Sequence, residues 1–223
     1  MTAQAGSASS LPSASASALD RQQLRRQMRQ LRRALSPTAR DEAHRQFARI
    51  LGGTYRLRPG QRIAVYCAYG HEADLRYVID VARRRGCLLY LPVITDFRHS
   101  RMRFMRHQTD SVMRVNRYGI AEPDWRDAEA RRHIISVRRL DLILLPLVAF
   151  DDRGWRLGSG AGFYDRSLHH LREGRRWRRP KLIGVGYECQ RVARLQPDAW
   201  DVPLDGMLTE RGLRFFARRP ATL

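Results

Sequence analysis

Apolar residues recur at helical spacing near the start of the charged part of the chain. They stand at intervals of four, three and four residues, at Leu24, Met28, Leu31 and Leu35. Because arginines fill most of the other positions, this stripe predicts an amphipathic helix from Arg21 to about Leu35, with Asp20 as its N-cap. Ser36-Pro37 ends that helix and begins a second one, predicted over residues 38–51.

Short apolar runs alternate with helical patterns along the rest of the chain. The runs predict strands over residues 62–69, 87–93, 140–147 and 181–187, with a short one at 102–105. Helices are predicted over residues 73–85 and 164–171, and a turn-rich loop at 119–125. This alternation favours an α/β fold, which we expect to be a three-layer sandwich around a mostly parallel, Rossmann-like sheet. No repeat or interior linker divides residues 20–223, so a single domain is expected.

The chain begins with a segment of mostly alanine and serine. Residues 1–19 carry no charged side chain and lack the basic start and continuous apolar core of a secretory signal. We interpret them as a disordered tail, with a cleaved targeting segment as the alternative. No apolar stretch approaches the roughly 20 residues that span a bilayer. A cytoplasmic protein without a membrane partner is therefore expected.

The chain is strongly basic. Its 42 lysines and arginines outnumber 22 acidic residues and give a net charge of +20, yet Lys181 is the only lysine. Such an excess of arginine is typical of a GC-rich genome, and the arginines are spread along the chain rather than gathered in one block. We therefore do not expect nucleic acid as a partner, although the charge attracts smaller anions.

The three cysteines predict neither a zinc site nor catalysis. Cys67, Cys87 and Cys189 stand far apart and form no C-x-x-C pair. Cys67 and Cys189 lie in apolar, strand-like runs and are interpreted as small core residues. Because three cysteines cannot all be paired in disulfides within one chain, they fit a reducing compartment.

The segment after the apolar run 140–150 carries the most specific chemistry. Three glycines at alternate positions within residues 158–162 let the backbone turn tightly and approach a ligand. A helix is predicted to follow, and backbone N–H groups at a helix start bind phosphate. Arg156 adds a fork that suits phosphate oxygens, and Asp165 is an oxygen ligand suited to Mg²⁺. A flexible surface turn is the alternative, because the segment matches neither a P-loop nor a G-x-G-x-x-G fingerprint.

The same stretch resembles a known family. From Pro146 to Arg166, with VAFDDRGWRLGSGAGFYDR at its centre, the sequence resembles the signature of 5-formyltetrahydrofolate cyclo-ligase, also called methenyltetrahydrofolate synthetase. Three other segments of the chain also resemble the family and occur in the family's order. They are RQQLRRQMRQLRRALS, VYCAYGHEADLRYVIDVARRRG with LYLPVI after it, and LIGVGYECQRVARLQPDAWDVPLDGMLTERG. The resemblance covers roughly residues 20–212. It implies a ligase that uses ATP and Mg²⁺ to close 5-formyltetrahydrofolate into 5,10-methenyltetrahydrofolate, by phosphorylating the formyl oxygen.

The resemblance also assigns residues to ATP. Arg21 and Arg25, one helical turn apart, correspond to the family's basic pair that reaches the phosphates, although many members have lysine at the first position. The glycine segment is implied to wrap the triphosphate through Arg156, Leu157, Gly158, Ser159, Gly160, Ala161, Gly162, Phe163 and Tyr164. Of these, Arg156 and Tyr164 are expected to be catalytic, by positioning and electrostatics.

Further residues are assigned to the folate and the metal. Cys67, Glu72 and Phe163 are implied to contact the substrate, where the carboxylate of Glu72 can accept hydrogen bonds from the amino and ring N–H groups of the pterin. Phe163 replaces a tyrosine, so only ring stacking is retained there. Metal ligation is implied for Asp165 and Asp201, with two nearby competitors for the second position, Asp198 and Asp205.

Two alternatives to this function remain at the level of sequence. One is an α/β protein that binds ATP or a sugar phosphate without folate chemistry, and the other is a basic module that contacts RNA. The implied partners are ATP and 5-formyltetrahydrofolate, with or without a polyglutamate tail, and a monomer is expected.

Overall fold

The computed structural model describes residues 18–55, 57–99, 101–169, 171 and 179–217. Within them the helices are α1 (Ala18–Ala34), α2 (Pro37–Thr54), α3 (Arg76–Arg84), α4 (Ala128–Arg132) and α5 (Phe163–Leu168), with 3-10 turns at Val137–Arg139 and Glu188–Gln190. None of these described helices is both long and apolar enough to cross a membrane. Residues 1–17 of the predicted tail lie outside the described residues, and α1 already begins at Ala18.

One large sheet organises the described residues. Its strands are β1 (Arg62–Ala64), β2 (Leu88–Asp96), β3 (Arg101–Arg106), β6 (Ile134–Ile135), β7 (Leu142–Pro146), β10 (Lys181–Val185), β11 (Gly206–Thr209) and β12 (Gly212–Phe215), in the order β12-β11-β10-β7-β1-β2-β3-β6. The five central strands, β11 to β2 in that order, pair in parallel, and β12, β3 and β6 pair antiparallel at the two edges. Two small hairpins join β4 (Met113–Val115) to β5 (Ala121–Pro123) and β8 (Ala149–Phe150) to β9 (Arg156–Leu157).

Apolar clusters cover both faces of the sheet. On one face, Phe47 and Leu51 of α2 and Val78 of α3 pack against side chains of β1, β7 and β10. On the other, Phe104 and Leu168 belong to a second cluster that also contains residues of β7 and β10. Because both faces of the parallel strands are buried, their sequences are continuous apolar runs. The predicted α/β fold with a mostly parallel sheet is thereby confirmed.

The first two helices form close to their predicted positions, but the prediction of Asp20 as the N-cap of α1 is wrong, because the helix begins at Ala18 and Asp20 lies in its first turn. Ser36 caps α2, since its Oγ accepts a hydrogen bond from the N–H of Ala39 at 3.1 Å, and Pro37 occupies the first turn. The predicted apolar stripe on α1 is wrong at one position. Leu31 is 40% exposed, whereas Arg32 is only 7% exposed and continues the buried side of the helix. An α-helix has 3.6 residues per turn, so both position 31 and position 32 lie near the side of the helix that carries Leu24 and Met28.

Several predicted boundaries also differ. The strand predicted over 62–69 ends at Ala64, because the chain then leaves the sheet in a loop that is closed by the Tyr66 hydroxyl donating to the carbonyl of Ala73 at 2.7 Å. The loop predicted at 119–125 contains β5, which pairs with β4. The antiparallel pair of β11 and β12 was not predicted. These differences lie where strands are short and are held by partners distant in sequence.

Candidate functional site

An open cavity of about 710 Å³ lies beside α1, the glycine segment and the segment before β11. Its basic lining residues are Arg21, Arg25, Arg156 and Arg166, its acidic ones are Asp165, Asp198 and Asp201, and the rest are Leu157, Gly158, Gly160, Gly162, His169 and Trp200. The structure therefore brings the predicted basic pair, the glycines and both predicted metal ligands to one cavity.

The glycine segment connects the β8–β9 hairpin to α5. Gly160 and Gly162 have φ values of +115° and +70°, a region that residues with side chains rarely adopt. Among the described residues, no hydrogen bond uses the backbone N–H groups of Ser159, Gly160 or Ala161. Successive unbonded N–H groups in such a turn can bind an anion.

Two arginines of α1 hold this loop by its carbonyl groups. The Nε of Arg25 donates to the carbonyl of Gly158 at 3.0 Å, and Arg29 donates to that of Ser159 at 3.3 Å. Burial lowers the pKa of Arg25, and the neighbouring charges of Arg21 and Arg29 lower it further. Positive charges crowded in this way favour binding of a polyanion. Contact of Arg21 and Arg25 with ATP remains a prediction.

Arg156 and Asp165 form an ion pair at the floor of the cavity. Only 4% of the Arg156 side chain is exposed, against 22% for Asp165. The guanidinium also donates to the carbonyl of Val202. Burial raises the pKa of Asp165, Arg156 opposes that rise, and the nearby charge of Asp201 adds to it. The arginine of the glycine segment is therefore rigidly held before any ligand binds.

Of the three candidate aspartates in the C-terminal segment, Asp198 and Asp201 line the cavity and Asp205 does not. Arg21 forms ion pairs with Asp198 and, at 3.1 Å, with Asp201. Asp205 instead accepts a hydrogen bond from the N–H of Leu182 at 2.9 Å and has a structural role between β10 and β11. Asp201 is thus favoured over Asp205 as a partner of Asp165 at the cavity.

A pair of carboxylates fits one kind of metal ion. Among the described residues, no group of three or more histidine, cysteine or acidic side chains could hold a metal. Asp165 and Asp201 nevertheless line one cavity and act on each other electrostatically. Mg²⁺ is commonly held by one or two carboxylates together with water and substrate phosphates. The donor set therefore fits Mg²⁺ that arrives with a phosphate ligand, rather than a permanent metal centre.

Tyr164 connects the cavity to the predicted substrate residues. Burial raises the pKa of Tyr164, Glu72 raises it further, and Arg156 acts in the opposite direction, with Cys67 as a weaker influence. The Tyr164 hydroxyl thus responds to charges of both predicted groups, Arg156 of the phosphate residues and Glu72 of the substrate residues.

The predicted substrate residues differ in what they offer. The Oε2 of Glu72 accepts a hydrogen bond from the N–H of Tyr69 at 3.1 Å, and burial raises the pKa of this carboxyl. Burial also raises the pKa of the Cys67 thiol, and Cys67 packs against the apolar cluster of α2 and α3 rather than lining the 710 Å³ cavity. The Phe163 ring meets Tyr118 edge to face at 5.8 Å. This contact within the protein positions the Phe163 ring, whose stacking on a ligand stays a prediction.

Some residues at the site were missed or act differently. Arg29 and Arg32 continue the line of Arg21 and Arg25 along α1, and their spacings of four and three residues could have revealed them. Leu157 is 1% exposed and packs in a cluster with residues of α1, so only its backbone can reach a ligand. Tyr118 carries no sequence signal for its place beside Phe163.

Comparisons with known proteins identify the family of the chain. A model of the 5-formyltetrahydrofolate cyclo-ligase family matches residues 17–210. The 5-formyltetrahydrofolate cyclo-ligase of Escherichia coli (strain K12) is 36% identical over 186 residues, which are 82% of this chain and 96% of the relative. That of Haemophilus influenzae is 33% identical over 190 residues, which are 84% of this chain and 96% of the relative.

A solved structure shares the fold. The NMR structure of Aquifex aeolicus 5,10-methenyltetrahydrofolate synthetase superposes with a TM-score of 0.72 at 27% identity. The match covers 91% of this chain and 96% of that one.

Proposed function

The chain belongs to the 5-formyltetrahydrofolate cyclo-ligase family, and we propose that its 710 Å³ cavity binds the ATP that drives closure of 5-formyltetrahydrofolate to 5,10-methenyltetrahydrofolate. One observation supports this site above the others. Arg21, Arg25 and Arg156 surround a glycine backbone with unbonded N–H groups, and two carboxylates suited to Mg²⁺ lie beside them. This combination matches a triphosphate with its metal ion.

The chemical difficulty is a poor leaving group. After N10 attacks the formyl carbon, the formyl oxygen would have to depart as hydroxide. When the γ-phosphoryl group is transferred to that oxygen, the bond between the γ-phosphorus and ADP breaks and a C–O–P linkage forms. N10 then attacks the carbon, its proton is lost to solvent, and the C–O bond breaks to release inorganic phosphate. The protein therefore has to align ATP with the formyl oxygen and stabilise the charge that moves.

Arg156 and Tyr164 are the residues proposed to act at the reacting atoms. The buried Arg156 is held in place by the carbonyl of Val202, so its charge is preorganised toward the transferred phosphoryl group. Because its pKa is raised, Tyr164 stays protonated at neutral pH and can donate a hydrogen bond to the oxygen that accepts the phosphoryl group. Glu72 would bind the pterin.

Asp165 and Asp201 would hold Mg²⁺ together with the phosphates. When bound, this ion supplies neutralisation of the charge on the β- and γ-phosphates. Both carboxylates pair with arginines here, Asp165 with Arg156 and Asp201 with Arg21. Each ligand is thus positioned by a cation that itself faces the cavity.

The surroundings of the reaction follow from charge and cysteine state. The net charge of +20 favours folates with polyglutamate tails, because several carboxylates are attracted at once. The free cysteines Cys67, Cys87 and Cys189 fit a reducing compartment such as the cytoplasm.

The first test is the reaction itself, followed as near-ultraviolet absorbance of methenyltetrahydrofolate. A rise that needs protein, ATP, Mg²⁺ and 5-formyltetrahydrofolate together is expected. Arg25→Met removes a charged hydrogen bond of about 1.5–3 kcal/mol, so the KM for ATP should rise roughly 10- to 100-fold. The matched control is Arg26→Met, because Arg26 is exposed on another side of α1. No absorbance rise from folded protein would refute the proposed function, and equal KM values in the two variants would refute the ATP site.

A further inference from the structure

Arg32 is a buried cation that the fold does not satisfy. Only 7% of the residue is exposed. Its Nε has no hydrogen-bond partner, and its one hydrogen bond to a described residue is a long one, 3.5 Å from Nη1 to the carbonyl of Leu147. No carboxylate of the described residues forms an ion pair with it. A charge buried in this way is costly unless something else pairs with it.

The structure around Arg32 does not require its charge. The carbonyl of Leu147 already accepts a hydrogen bond from Gln190 at 2.9 Å. Two tyrosines lie close enough to influence Arg32, but Tyr187 is hydrogen-bonded to His44 at 2.7 Å, and Tyr66 donates to a backbone carbonyl. Arg32 therefore has donors left over that no neighbour needs.

Glu72 is the complementary group. It lies in the segment that leaves β1, while Leu147, which accepts from Arg32, directly follows β7, the strand beside β1. Both charges are thus at the carboxyl ends of neighbouring parallel strands, where ligands of such sheets bind. Burial lowers the pKa of Arg32, and Glu72 is the strongest charge that opposes this, yet the two form no ion pair. Both charged groups are thus available to the polar groups of one ligand at this edge of the sheet.

We propose that Arg32 and Glu72 together grip the amide edge of the pterin, with Glu72 accepting from its 2-amino and N3–H groups and Arg32 donating to its 4-oxo oxygen. This rests on the proposed function. The three groups stand side by side on one edge of the ring, in the order donor, donor, acceptor. A carboxylate followed by a guanidinium presents the complementary order. Arg32 and Glu72 then both select 4-oxo pterins, because a 4-amino group would point a donor at Arg32 and N3 of such a ring carries no hydrogen for Glu72.

The first experiment measures equilibrium binding of 5-formyltetrahydrofolate by calorimetry, without ATP. Arg32→Met keeps the length of the side chain and removes its charge, and affinity should fall roughly 10- to 100-fold, as for loss of one hydrogen bond to a charged group. Arg32→Lys should recover part of this loss. Arg33→Met is the matched control, because Arg33 is the next residue and is exposed; its affinity should be unchanged. The KM for ATP should stay within about twofold in all three variants.

A second readout separates recognition from a structural role. Wild-type protein should bind folic acid more tightly than its 4-amino analogue, and Arg32→Met should weaken binding of folic acid more than binding of the analogue, so that this preference becomes smaller. Unchanged affinity in Arg32→Met, or an equal loss for the 4-oxo and 4-amino compounds, would overturn the inference. If wild-type protein binds the folate but does not turn it over, only the proposed reaction fails. If it does not bind the folate at all, both fail.

Discussion

Replacing Asp165 tests the ion pair at the floor of the cavity. Asp165→Ala leaves the guanidinium of Arg156 with the carbonyl of Val202 as its remaining partner, in a side chain that is 4% exposed. Removing one partner of a buried pair costs about 3–5 kcal/mol. Because Asp165 is 22% exposed and water reaches it, the lower figure applies, about 3 kcal/mol. A chain of 223 residues loses roughly 2–4 °C in Tm per kcal/mol, so Tm should fall by roughly 6–12 °C.

The assay is thermal unfolding followed by circular dichroism, without nucleotide or Mg²⁺, since ligands stabilise the folded state. Asp165→Asn keeps a neutral acceptor and should lose about 1 kcal/mol. The control is Asp152→Ala, because Asp152 is 53% exposed and pairs with Arg191 and Arg214 at the surface; its effect should be below about 1 kcal/mol.

A double variant completes the test. Adding Arg156→Met to Asp165→Ala removes the uncompensated charge, so the double variant should be more stable than Asp165→Ala alone. The reasoning is refuted if Asp165→Ala unfolds at the same temperature as Asp152→Ala. All variants at Asp165 are expected to lose turnover, which separates them from the control.

Two further outcomes can be measured with the same methods. Burial raises the pKa of Glu72, so folate affinity should begin to fall at a higher pH than the one at which an ordinary carboxyl is protonated. Calorimetry of Glu72→Gln should show weaker binding that lacks this pH dependence. The folded state also holds the Glu72 proton more tightly than the unfolded state, so wild-type stability falls relative to Glu72→Gln as pH rises through the raised pKa, and Tm should show this. Gly184→Ala places a Cβ 2.7 Å from Leu204 and 2.8 Å from Leu147 and should cost about 1–3 kcal/mol, whereas Gly53→Ala meets nothing within 4 Å and should stabilise α2 by about 0.5 kcal/mol. Equal Tm values for these two glycine variants would contradict the packing described here.

Local signals explain what the sequence could predict. The run 140–147 gave β7 because a strand buried on both faces must be apolar throughout. Ser36-Pro37 gave the start of α2 because capping is decided within a few residues. The glycine segment was recognisable because Gly160 and Gly162 have positive φ values, which strongly favour glycine whatever the surrounding fold.

Tertiary contacts explain what the sequence could not predict. Periodicity alone cannot decide between Leu31 and Arg32, since the choice depends on which side of α1 meets the body of the protein. Asp198, Asp201 and Asp205 lie within eight residues of one another, and no local pattern distinguishes them. Only the hydrogen bond from Leu182 shows that Asp205 belongs to the sheet. The strands β11 and β12 are four residues each and are defined by their pairing.

The line of arginines on α1 has a thermodynamic consequence. Arg21 and Arg32 are 11 residues apart, so about 16 Å of one stiff helix separates the proposed nucleotide contact from the proposed folate contact. A ligand that fixes the position of α1 at one contact lowers the entropy cost of ordering the helix when the second ligand binds at the other. Whatever factor ATP contributes to folate affinity, folate must return to ATP affinity, because such coupling is reciprocal. The two proposed sites can thus influence each other through a single helix, in addition to the direct contact of the substrates at the reacting atoms.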